Sequence, residues 1–288
     1  MRGHKVPDMY SRSEAYLYRM VYCHCYNIPY PTEFSSWSAS LHLVVVYANS
    51  MPIADDPHVA VIDTQQLERD GNVKVWQTSH LFRFQALSPH LTNAEFLAHG
   101  RIAGSGYKAV GFAALRQRGL YSMVLGLEHF VPEPCDFQFG FRLREQTFGT
   151  AEKAIEDCDI LTARHIATLF GELRVPVAVA LLCLRPRPNI DVNPSMRADL
   201  IARLVNGLSI TSLPDGFASE PWLCRGAVDT RCGFQDVEQW IELFRALSMY
   251  NFSTVAEHKR GKRLRNEEFT LGAPLHLSKR RKPMEDYE

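Results

Sequence analysis

The stretch FSSWSASLHLVVVYANS, residues 34–50, decides how this chain is read, because serines crowd around Trp37 just before a run of β-branched and aromatic residues. Two readings fit it. It is either a polar turn feeding a core element, or the serine part of a nucleotide-binding site whose other parts lie elsewhere in the chain. The run LHLVVVYA is open between strand and helix. Its β-branched content favours a strand, whereas a Ser at the N-cap and apolar positions at Leu41, Val44, Val45 and Ala48 fit a helix.

The flanking segments read as short extended pieces. AYLYRMVYCHCY, residues 15–26, is rich in aromatics and poor in turn residues, and is expected to be a strand. HVAVIDT, residues 58–64, is a β-branched strand stopped by Asp63. Residues 95–110, EFLAHGRIAGSGYKAV, form two extended pieces around the turn AGSG, followed by a short helix in FAALRQRG that Gly119 closes.

Two prolines in HFVPEPCDF, residues 129–137, suggest a boundary, after which helical spacing takes over. Thr150 is the expected cap of a helix with Ala151, Ala154, Ile155, Cys158, Leu161, His165, Ile166 and Leu169 on its buried face, which makes His165 a core histidine. A further apolar helix carries Pro176 near its start and stops at RPRP. NPSMRADLIARLVNGL is capped by Asn193, and DVEQWIELFRAL repeats the helical spacing through Val237, Trp240, Ile241, Phe244 and Leu247. The organisation expected is a strand-rich region over residues 1–130, a helical region over 131–251 packed on the first, and a basic, disordered tail over 252–288, which makes an α+β protein.

Composition narrows the function classes. Of 288 residues 46% are hydrophobic, as a chain with a core requires, and Lys+Arg equals Asp+Glu at 32 each. No global field attracts nucleic acid, so no such contact is expected outside the tail clusters KRGKRLR and KRRK, which have the two-part form of a nuclear import signal. The longest apolar run, residues 175–184, is short of the roughly 20 residues that span a bilayer, and the first 20 residues lack the apolar core of a secretory leader. An intracellular protein, nuclear or cytoplasmic, without membrane association is expected. Seven scattered cysteines point to reduced thiols, and the spacing of CHC at Cys23–Cys25 is wrong for zinc. AGSGYK lacks the spacing of a P-loop, and no serine or cysteine sits in a nucleophile elbow.

The succession YLYRM, FSSWSASLHLVVVYA, HVAVIDT, EFLAHGRI with YKAV, and PVAVALLCLRPRP resembles an uncharacterised fungal family, over roughly residues 16–188. Membership of that family implies little chemistry. The order Arg19, Ser36 and Ser38, then Glu95 also resembles the arginine-serine-glutamate class of ADP-ribosyltransferases, which sets these residues on a first, a second and a later strand. The resemblance implies an ADP-ribosyltransferase-like N-terminal region that uses NAD, with Glu95 catalytic, Arg19, Ser36 and Ser38 binding the cofactor, and no metal.

The chemistry gives each residue a task. Cleavage between nicotinamide and ribose passes through an oxocarbenium-like state that a carboxylate stabilises, as in glycosidases. Glu95 would supply that charge. Arg19 would hold the pyrophosphate or ribose phosphate side of the dinucleotide, and Ser36 would fix the strand geometry and hydrogen-bond the carboxylate or the ribose. Position 93, where arginine-modifying members carry Glu or Gln, holds Asn, so an acceptor-activating carboxylate is missing there. The functions that follow are mono-ADP-ribosyl transfer or NAD hydrolysis, with a protein as partner or acceptor. A catalytically silent interaction scaffold of the same fold is the alternative.

Overall fold

Leu17, Met20, Val21 and His24 stand at i, i+3, i+4 and i+7, the spacing that gathers side chains on one face of a helix. In the computed structural model of the protein, which describes residues 11–25, 28–71, 73–78, 95–129, 139–189, 194–213 and 234–250, this segment is helix α1, Glu14–Cys25. The strand expected over residues 15–26 is therefore corrected. Aromatic strand propensity is weak beside a face that can be buried, and Ser13 Oγ accepts from the Tyr16 N–H at 3.3 Å at the helix start.

Strand β1, Phe34–Ser38, follows, and Ser40 then caps helix α2, Leu41–Ser50, by accepting from the Leu43 N–H at 3.1 Å. The ambiguous valine run is thus helical. Strand β2, His58–Ile62, ends at Asp63, whose carboxylate accepts from the Gln66 N–H at 3.0 Å and so caps helix α3, Thr64–Gly71. Strands β3, Lys74–Gln77, β4, Glu95–His99, and β5, Tyr107–Gly111, complete two small antiparallel sheets, one in the order β1-β4-β3 and one pairing β2 with β5. The two pieces around AGSG thus belong to different sheets. Gly106 is needed where they diverge, because a Cβ there would lie 2.9 Å from the Gln66 Cβ and 3.1 Å from the Asp63 carbonyl.

The three-stranded sheet is covered on both faces. Phe34, Leu97 and Trp76 meet Met20, Val21 and Leu17 of α1 on one side, while Trp37, Val75 and Ala98 meet Leu67 of α3 on the other. Burying a side chain such as Met20 or Leu67 contributes about 1.5–3 kcal/mol.

The remaining described elements are helical: α4, Phe112–Gln117, turning at Gly119 (φ 98°) into α5, Leu120–Met123; α6, Phe139–Phe148; α7, Asp157–Ala167; α8, Arg174–Leu182; α9, Pro194–Gly207; and α10, Gln235–Ser248. The described residues up to Met249 belong to one compact unit. The predicted boundary prolines and the predicted tail, 252–288, lie outside the described residues.

Helix α7 starts six residues later than a cap at Thr150 predicts, at Asp157 after the cap Glu156. Thr150 instead closes α6, donating to the Thr147 carbonyl at 2.7 Å, and the Asp159 carboxylate accepts from the Glu156 N–H at 3.3 Å. The buried face is accordingly Asp159, Ile160, Ala163, Ile166 and Ala167, and His165 is exposed, not a core residue. The span Asp157–Leu182 is long and apolar enough by composition to cross a membrane. It turns at Gly171 (φ 60°), however, and α7 and α8 pack on each other. Arg187, just beyond α8, donates to Asp159 in α7 at 3.0 Å and to the Lys153 and Ala154 carbonyls at 3.1 Å, pinning the RPRP turn to the start of α7.

The strand-bearing and helical parts meet at a buried polar cluster. Ser40 Oγ donates to the Asp236 carboxylate at 2.7 Å across 196 positions of sequence, and the His42 N–H reaches the same oxygen at 3.4 Å. Arg144 approaches the other carboxylate oxygen at 3.8 Å with its guanidinium 4.1 Å from the Phe234 ring centre. Burial raises the Asp236 carboxyl and lowers the Arg144 guanidinium from their ordinary values. Around the cluster, Ala39 and Leu43 pack against Phe234, Val237, Trp240 and Ile241.

Removing one member of a buried charged pair costs more than the pair contributes, because its partner is stranded. Asp236→Ala is expected to lower the unfolding free energy by about 3–5 kcal/mol, and Ser40→Ala by about 1 kcal/mol, both read from urea midpoints. An Asp236→Ala midpoint equal to that of the wild type would show that the cluster does not hold the two parts together.

Candidate functional site

Pairing of β1 with β4 sets Ser36 opposite Leu97 and Ser38 opposite Glu95. Opposed residues share a face, so Ser36, Ser38 and Glu95 point to the side of the sheet that carries α1, and Trp37 points to the other. The diagonal places Ser36 Oγ within reach of the carboxylate, to which it donates at 2.6 Å. Residues 59 positions apart are joined by register alone.

Helix α1 contributes a group that the sequence reading passed over. His24, in its last turn, sets Nε2 at 2.8 Å from Ser36 Oγ and Nδ1 at 2.9 Å from Thr32 Oγ1. With the Ser36 hydroxyl donating to Glu95, Ser36 Oγ accepts from His24 Nε2–H. The bare Nδ1 then accepts from the Thr32 hydroxyl. A chain of three hydrogen bonds runs from Thr32 through His24 and Ser36 to Glu95. Its signal was in the sequence: His24 completes the helical spacing of Leu17, Met20 and Val21.

The electrostatics single out the same groups. Burial raises the Glu95 carboxyl above its ordinary value, against the Ser36 hydrogen bond that lowers it, and burial lowers the His24 imidazole. Burial, and secondarily the charge of Glu95, raises the Tyr47 phenol. The Thr78 hydroxyl donates to the Glu95 carbonyl at 2.8 Å and fixes the strand end.

The other two candidates take different places. Ser38 Oγ accepts from the Ser40 N–H at 3.1 Å and shapes the turn into α2. Arg19 lies on α1, not on a strand, exposed, with its guanidinium 4.9 Å from the Tyr30 ring centre. Trp37, on the opposite face, donates to Ser35 Oγ at 2.8 Å and so does not crowd Ser36, which is exposed. Among the described residues no cluster of His, Cys, Asp or Glu is arranged to hold a metal ion, and Cys23, Cys158 and Cys183 are free thiols.

Residues 1–105 match the family model described as a domain of unknown function, DUF7587. The match contains all of His24, Thr32, Ser36 and Glu95, and ends short of Pro188, where the resemblance read from the sequence ends. Neither the curated proteins nor the solved structures yield a match to the chain.

A carboxyl raised in the fold makes stability fall as pH climbs. Below the ordinary carboxylate value Glu95 is neutral in both folded and unfolded chains, and above it the unfolded chain ionises first. Glu95→Gln is expected to remove this loss, so that the variant melts at a higher temperature than wild type at pH 8 and the two converge at pH 4. A variant less stable than wild type at pH 8 would mean that the Glu95 charge stabilises the fold.

Proposed function

We propose that the site formed by Ser36, Glu95 and His24 cleaves the bond between nicotinamide and ribose in NAD, passing ADP-ribose to an acceptor or to water. The observation that carries this reading is the 2.6 Å bond from Ser36 to Glu95 on neighbouring strands. It holds a single, half-buried carboxylate in a fixed orientation beside the exposed Ser36, as stabilisation of an oxocarbenium ion requires. Nicotinamide leaves as a neutral ring from a cationic one, so no general acid is needed. One carboxylate suffices.

Desolvation of Glu95 serves the same end. A charge drawn from water acts more strongly on a cation that develops beside it. Arg19, exposed on α1 about 7.5 Å of helical rise from His24, supplies a guanidinium for the pyrophosphate once it leaves Tyr30. A protein-binding scaffold is the second reading, and exposed Tyr18 and Tyr22, with ring centres 6.0 Å apart on α1, favour it, because tyrosines are enriched at interfaces.

Release of nicotinamide from NAD separates the two. In Glu95→Gln the shape and hydrogen bonds persist while the charge is lost, and the rate is expected to fall by roughly 10²–10³-fold. Equal rates for wild type and variant would remove Glu95 from the chemistry, and no release by wild type would leave the scaffold.

A further inference from the structure

A carboxylate stabilises a developing cation best when it stands in place beforehand, because a group that must turn during the reaction gives back part of what it gains. Glu95 reaches the site on a flexible side chain. The hydroxyl that holds it, Ser36 Oγ, is exposed and turns freely about its own Cβ–Oγ bond. Resting on the reading of the site given above, we propose that His24, itself fixed by Thr32, is the positioning residue that aims the Ser36 hydroxyl at Glu95, by giving Ser36 an N–H that carries no charge.

The His24 ring is built against one edge of the chain. Thr32, Phe34 and Ser36 stand two residues apart, the spacing that turns side chains to one side of an extended segment. All three meet the ring: Thr32 Oγ1 lies 2.9 Å from Nδ1, Ser36 Oγ lies 2.8 Å from Nε2, and the Phe34 ring stands edge-on with centres 6.2 Å apart. Helix α1 brings His24 there, because Met20 and Val21 of the same helix are buried with Phe34 and Leu97.

The hydrogens have one consistent order. A carboxylate only accepts, so the single Ser36 hydrogen goes to Glu95 over 2.6 Å, and Ser36 meets His24 with a lone pair. Nε2 therefore bears the ring hydrogen, and the Thr32 hydroxyl holds that tautomer by donating to Nδ1. With the hydrogen on Nδ1 instead, Nε2 would claim the Ser36 hydrogen, and two oxygen lone pairs would face each other between Ser36 and Glu95. No proton travels along the chain. Its part is to keep one hydroxyl pointing one way. Burial lowers the His24 imidazole, which keeps the ring uncharged at pH 7. A lysine or arginine would also donate to Ser36, but its charge would oppose that of Glu95.

Nitrogen NMR of the full chain and steady-state NAD turnover test this together. The neutral His24 ring is expected to carry its hydrogen on Nε2, and a ring that carries it on Nδ1 overturns the proposal whatever the activity. His24→Leu removes the N–H, and kcat is expected to fall about 10²-fold with little change in KM, because the contact serves the transition state. His24→Gln offers Ser36 an uncharged N–H again and is expected to recover about tenfold of that loss. Thr32→Val frees the ring without removing its bond to Ser36, and is expected to lower kcat about tenfold; it decides the matter if His24→Leu does not fold. A kcat that neither His24→Leu nor Thr32→Val lowers, or a His24→Gln protein no faster than His24→Leu, overturns the positioning role in an active protein. An Nε2–H ring in a wild-type protein that releases no nicotinamide overturns instead the reading of the site on which the role rests.

Discussion

The bond from Ser40 to Asp236 is the interaction on which the rest of the described structure depends. It joins the cap of α2 to the first turn of α10 in a place closed to water, with Ser40 0% and Asp236 1% exposed. An acid placed there costs desolvation energy that its hydrogen bonds and the nearby Arg144 charge offset. The partners come from two separate segments: Ser40 and the His42 N–H from the start of α2, and Arg144 from α6. The helical part is therefore seated against the segment that follows β1 directly, and the start of α2 is fixed in space.

That fixed start matters because β1 and α2 share the short turn at Ser38–Ala39–Ser40. Ser38 accepts from the Ser40 N–H and Trp240 donates to the Ala39 carbonyl at 3.3 Å, so the end of β1 is held from both sides. A strand that slipped by one residue would move Ser36 to the face of Trp37 and carry it away from Glu95. The buried cluster lies apart from His24, Ser36 and Glu95, but it helps hold the register that brings Ser36 to Glu95.

Much of this was legible in the sequence, and the failures have physical causes. Ser40 as a cap, the strand ending at Asp63 and the turn at AGSG were legible because short-range rules govern them: a hydroxyl for an orphan N–H, a carboxylate for the first turn of a helix, and glycines where backbones approach closely. Helix α1 was misread because its aromatics suggest a strand, while the spacing of Leu17, Met20, Val21 and His24, which proved decisive, acts only when a sheet is present to receive it. The same error hid His24, since in a strand it has no fixed relation to Ser36. The late start of α7 has a similar cause. Asp159 and Arg187, far apart in sequence, form a buried pair that no local pattern announces. The Ser36–Glu95 bond was legible only through order along the chain, because register across 59 positions is a tertiary fact.

The central claim is that the face carrying His24, Ser36 and Glu95 is a site for NAD. Calorimetric titration of the full chain with NAD tests it most directly. The account predicts saturable binding of one NAD per chain, weakened in Arg19→Ala and retained in Glu95→Gln, whose lost charge matters mainly in the transition state. A titration without saturable heat at NAD concentrations up to several millimolar, on folded wild-type protein, would contradict it.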